Sequence, residues 1–183
     1  MFRPTSVRVA RRQHSLYWQT AILILVAMLL SGCSDKPEMS PTEYRNTLCD
    51  LLFPDSKLPV EEILARFGTP DEVKVEPIAN KHVANVIDEI HLARFRDGQV
   101  AIYVATAVGR NLVLSIRLTG QFWPDRVPSL AGDSTDQVRT KLGDPDEAEG
   151  QVYRYYCGES DSHVAVNLED SRVAWVYLLG YVD

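Results

Sequence analysis

Between residues 91 and 179, apolar side chains fall at every second position in six separate stretches. A period of two is the mark of a strand with one face buried. The alternation predicts strands at 91–96, 99–105 and 112–118, then again at 151–157, 163–168 and 172–179. Asp97-Gly98 suits a tight hairpin turn between the first two. Nearer the N-terminus the period changes: Tyr44, Leu48, Leu51 and Leu52 follow helical spacing. Ser40-Pro41-Thr42-Glu43 precedes them, with the Ser and Glu of a capping box and Pro at the first helical position. Pro54 ends that segment.

The pattern occurs twice. Phe67-Gly68-Thr69-Pro70-Asp71-Glu72 reads like Leu142-Gly143-Asp144-Pro145-Asp146-Glu147, at an offset of 75 residues. Each closes a short helical stretch with Gly and then forbids its continuation with Pro. Ser134 and Gln137 supply a capping box for the second helix. The last strands align at an offset of 60, Val113 with Val173 through Gly120 with Gly180. The first copy therefore has about 15 more residues, expected at 74–89, between its helix and its first strand. The reading is an α+β fold. Two tandem helix-plus-antiparallel-meander repeats, about 58–120 and 131–180, follow an N-terminal helix, together forming a domain over 40–183. Each copy alone is too small for a good core, so the two should share one.

A different pattern occupies residues 1–32. Arg3, Arg8, Arg11 and Arg12 precede the apolar run 21–30, and no acid occurs before Asp35. Basic start, short apolar run and small-residue cleavage site make a secretory signal. Ten apolar residues rise about 15 Å as a helix, half of a ~30 Å hydrocarbon core. The uncharged stretch 16–32 leaves an uncleaved anchor as the alternative. Leu30-Ser31-Gly32-Cys33 resembles a bacterial lipoprotein lipobox. The resemblance implies cleavage between Gly32 and Cys33, and acyl chains on Cys33. Several chains anchor stably where one does not. Ser34, where an inner-membrane lipoprotein carries Asp, implies the periplasmic face of the outer membrane. Residues 33–39 form a polar tether.

Removing that leader leaves 15 of the 19 basic residues and all 25 acidic ones, a net charge of −10 over 151 residues. Such a chain repels phosphate backbones, so nucleic acid is not an expected partner. Cys49 and Cys157 are the two cysteines left after Cys33. An exported chain permits a disulfide between them; two buried thiols are the other reading.

Asp133-Ser134-Thr135-Asp136-Gln137-Val138, Leu142-Gly143-Asp144-Pro145, Tyr153-Arg154-Tyr155-Tyr156 and the final hairpin resemble the SmpA/OmlA lipoprotein family. That family includes a small lipoprotein of the outer-membrane β-barrel assembly machine. The tandem arrangement resembles β-lactamase inhibitory proteins, which bind their target across a sheet. Together these resemblances cover roughly 58–180. They imply a fold, and a protein partner in the envelope for either an assembly role or an inhibitor role. The duplication and leading helix depart from the single-unit family, so no binding residue is carried over.

Strand alternation assigns one face to the core: Phe95, Val100, Ile102, Val104, Leu114, Ile116 and Leu118, with Tyr155, Cys157, Val164, Val166, Leu168, Ala174, Val176 and Leu178. The opposite face receives Arg94, Arg96, Tyr103, Ser115, Arg117, Arg154, Tyr156, His163, Asn167, Trp175 and Tyr177. Of these, Arg94, Arg96, Tyr103, Arg117, Arg154, Tyr156, Trp175 and Tyr177 are the candidate partner-binding residues. Arg, Tyr and Trp dominate binding hot spots, and the list is poor in acids. The plainer reading is that strands favour aromatics and tolerate solvated Arg. Residues 120–128, with Phe122 and Trp123, are a second candidate site, Trp123 flanking a partner; the plainer reading is an ordered connection whose rings fold back on the core.

Catalytic motifs are weak. Gly132-Asp133-Ser134 resembles the start of a serine-hydrolase motif, but a helix N-terminus needs the same residues. His82 and His91 lack metal-ligand spacing. The expectation is a non-enzymatic binding module with no cofactor and no metal, and a serine hydrolase using Ser134 as the remote alternative.

Overall fold

The computed structural model describes residues 39–180 apart from positions 121 and 126. The leader, Gly32 and Cys33 lie outside the described residues. Helix α1 (Pro41–Cys49) starts at Ser40, whose hydroxyl accepts from the Glu43 N–H at 3.3 Å. The return bond of a full capping box is made at Ser134 and not at Ser40. Helix α2 (Val60–Ala65) is short, as expected, and buries Val60, Ile63 and Leu64. Helix α3 (Thr135–Leu142) has the expected box: Gln137 N–H to Ser134 Oγ at 3.3 Å and Ser134 N–H to Gln137 Oε1 at 2.8 Å. Gly143 ends it at φ 77°, where a residue with a Cβ is strained.

Among the described residues eight strands, not six, form one antiparallel sheet. They are β1 (Glu72–Ala79), β2 (Ile87–Phe95), β3 (Gly98–Ala105), β4 (Arg110–Thr119), β5 (Glu147–Glu149), β6 (Val152–Tyr156), β7 (His163–Glu169) and β8 (Arg172–Leu179). Their order is β1-β2-β3-β4-β8-β7-β6-β5, so two meanders meet where β4 pairs with β8. The edge strands β1 and β5 are the two that the alternation did not mark. The residues expected as an insertion at 74–89 are most of β1 and a longer hairpin into β2. A mixed α+β fold is what the chain adopts.

One side of the sheet carries the core. Leu48, Ile63, Val138 and Leu142 from the helices pack with Val100, Ile102, Ile116, Leu118, Val164, Val166, Val176 and Leu178, all 1 % exposed or less. Phe95, Tyr155 and Cys157 join them as expected. Two expected positions do not. The ladder shifts between Ala101 and Ile102 on β3 and between Asn167 and Leu168 on β7. Each shift leaves one residue of the neighbouring strand unpaired, Leu114 and Ala174. Val113 and Val173 take their core places, because a bulge reverses the alternation beyond it. Val104 is only partly buried.

Cys49 and Cys157 form a disulfide that joins the end of α1 to the residue after β6. Helix α1 also packs against α3 and β7. The Tyr44 hydroxyl donates to the Pro128 carbonyl and so ties α1 to the connection between the meanders. Phe122 folds back from that connection onto Phe95, with ring centroids 4.5 Å apart, and onto Phe67 at 6.3 Å. Trp123 is partly buried against the same core.

Candidate partner-binding face

Directly paired residues of an antiparallel ladder present their side chains to the same face. The observed register therefore lays one row across all eight strands on the face away from the helices: Glu72, Arg94, Gln99, Arg117, Tyr177, Ala165, Arg154 and Glu147. Four candidates, Arg94, Arg117, Tyr177 and Arg154, sit in this single row. Trp175 lies in the adjacent row, between Thr119 and Asn167. Tyr156 pairs with His163 on the same face, their rings meeting edge-on at 5.9 Å.

The face is richer in acids than the alternation implied. The edge strands bring Glu72, Glu147 and Glu149 onto it. Arg94 lies 3.5 Å from Glu72, and Arg154 lies 3.6 Å from Glu147 and 3.1 Å from Glu149. These pairs are exposed enough that water and salt weaken them. They nonetheless give both flanking arginines a carboxylate neighbour. The central arginine differs. The Arg117 side chain has no hydrogen bond or ion pair among the described residues, and its guanidinium lies over the Trp175 ring, 5.9 Å from the centroid. That contact steadies the cation without neutralising it.

The other candidates separate. Arg96 is not on a strand: β2 ends at Phe95, and Arg96 is exposed in the turn that follows. Tyr103 is on the expected face but engaged. Its hydroxyl donates to Asp88, a buried carboxylate that also accepts from Asn80 Nδ2 at 2.7 Å, Thr106 N–H at 2.9 Å and Thr106 Oγ1 at 3.0 Å. The Tyr103 bond, ahead of the others, holds the Asp88 carboxyl below its ordinary range, while desolvation opposes it. The same bond raises the Tyr103 phenol. Tyr156 is raised chiefly by its hydrogen bond to Glu147. Position 88 lies in the stretch read as an insertion, so no strand alternation pointed to the Asp88 cluster. Nothing in the sequence marked Gln99 as the neighbour of Arg117.

Gln99, Arg94, Glu72, Lys74 and Leu92 line a shallow depression of about 180 Å³ beside this row. Among the described residues no group of three His, Cys, Asp or Glu side chains could hold a metal ion. The Ser134 hydroxyl is occupied as the cap of α3. No helix among the described residues is long and apolar enough to cross a membrane. No family model, curated protein or solved structure matches the chain.

Proposed function

We propose that this chain is a bacterial lipoprotein, anchored by acyl chains on Cys33 at the periplasmic face of the outer membrane. In this reading it is a non-catalytic module that binds another envelope protein through the sheet face opposite the helices of the described residues. The observation that carries the reading is the row across eight strands, with Arg117, Tyr177 and Trp175 grouped where β4 meets β8. Large amphipathic side chains grouped on an uncovered surface are what a protein-binding hot spot requires. The leader and the 49–157 disulfide fit an oxidising compartment. A capped Ser134 weighs against the hydrolase alternative.

Within this reading the two meanders are tandem copies of one unit. Three correspondences support it. Asp71 N–H donates to Arg94 O at 2.8 Å, and Asp146 N–H to Arg154 O at 2.9 Å. The pairs Glu72–Arg94 and Glu147–Arg154 occupy matching edges. The ladder shifts fall at matching places in β3 and β7. The SmpA/OmlA resemblance favours an assembly or envelope-maintenance role. The doubled unit favours the other role, an inhibitor or immunity protein for a periplasmic enzyme or toxin. Capture from solubilised envelopes with tagged full-length chain tests both. Barrel-assembly components would indicate the first role, and a secreted enzyme or toxin the second. Trp175→Ala with Tyr177→Ala should abolish capture while the chain stays folded; undiminished capture would refute the face.

A further inference from the structure

From the charge pattern of this face we infer that its partner presents a carboxylate, from an Asp- or Glu-bearing segment, to Arg117 at the β4–β8 junction. The inference rests on the sheet-face reading above. Arg94 and Arg154 already have glutamates beside them, whereas Arg117 has no anion among the described residues. Its immediate neighbours across the sheet are neutral, Gln99 on one side and Tyr177 on the other. Counting strands at ~4.8 Å each, the Glu72 backbone lies about 14 Å away and that of Glu147 about 19 Å away. Both distances exceed the ~8 Å screening length at physiological salt. Asp97 sits in the β2–β3 turn, its carboxylate turned against Gly120.

An exposed guanidinium with one face resting on an indole keeps its N–H fork available. A carboxylate satisfies that fork with two parallel bonds, and covering by the partner strengthens them by excluding water. The rest of the junction, with Tyr177, Trp175, Gln99 and Thr119, offers rings and amide or hydroxyl groups suited to a polypeptide. A net charge of −10 over the mature chain disfavours extended polyanions, so an isolated carboxylate among neutral residues is the ligand that fits.

The test is titration calorimetry on the full-length lipidated chain in neutral detergent. The probes are a short blocked Thr-rich peptide carrying one central Glu and its counterpart with Gln at that position. The Glu peptide should bind about tenfold more tightly or better, the size of one charge-assisted fork. Arg117→Gln should erase that preference, Arg117→Lys should keep part of it, and Arg94→Gln should change it by no more than about twofold. Equal affinity for the two peptides, undetectable binding of both included, would overturn the inference, as would a preference that survives Arg117→Gln. Capture of the natural partner separates the two levels. If Arg117→Gln captures normally while the Trp175/Tyr177 double variant does not, the face stands and the carboxylate is wrong. If neither change matters, the face itself is wrong.

Discussion

Phe122 lies directly over Gly98: a Cβ at Gly98 would stand 1.9 Å from the ring's Cδ1. The first residue of β3 is thus the floor on which the connection between the meanders rests. The ring covers Phe95 and Phe67 because nothing projects from that floor. Gly98→Ala should expel the ring or bend the strand, since Arg117 O stands only 2.8 Å away on another side. Forced overpacking of this kind costs about 1–3 kcal/mol. Urea denaturation should show a lower midpoint, and an unchanged midpoint would mean that Phe122 does not pack there.

The disulfide closes a sequence separation of 108 residues. Loop-closure entropy for a loop of that size is ~4–5 kcal/mol, and loss of a native bond typically costs about 2–5 kcal/mol. The paired Cys49→Ser and Cys157→Ser variant should lose stability in that range relative to oxidised wild type. Adding reductant should weaken the wild type and leave the variant unmoved. Equal stability of both under oxidising conditions would contradict the bond.

Asp88 ties one part of the acid stability to its cluster. Its carboxyl is held below the ordinary range, first by Tyr103 and then by Thr106 and Asn80. An unfolded Asp titrates near 3.9, so near that pH the native state binds fewer protons than the unfolded one. Its contribution is complete above the unfolded value and disappears as pH falls towards the native one. The urea midpoint should decline below about pH 4 in wild type. Tyr103→Phe removes the strongest donor and should make that decline shallower; identical pH profiles would rule out the link.

Acyl anchoring makes a prediction about Cys33. Cys33→Ser deletes the thiol that would carry the diacylglycerol, and with it the several chains needed for stable anchoring. The variant should leave the membrane fraction and take up no labelled palmitate. A Cys33→Ser chain that remains membrane-bound would point to an uncleaved anchor.

The strands with one buried face were legible because burial imposes a period of two on their sequence. The edges were less so. Glu72-Val73-Lys74-Val75-Glu76 does alternate, but Pro77 follows, and Val73 and Val75 remain 44 % and 47 % exposed. The Asn80 N–H bonds to Val86 O, so the alternation of the ladder turns the backbone of Pro77 away from β2. An edge strand tolerates Pro there, having no neighbour to receive the missing donor. The three residues of β5 have no propensity that could announce a strand. The Arg and aromatic side chains of the face are visible in the alternation; the glutamates beside two of the arginines are not, since Pro77 breaks the pattern of β1 and β5 is only three residues long.

What the chain's own order of residues determined is local: the cap at Ser134, the stop at Gly143 and the alternation that put Val100 and Ile116 inside. These follow from contacts within a few positions of the backbone. Which arginine stands without an anion, whether Val113 or Leu114 enters the core, and the join of β4 to β8 were decided only by the folded sheet. Each depends on the register between strands far apart in sequence, and a slip of one residue there turns a side chain from one face to the other.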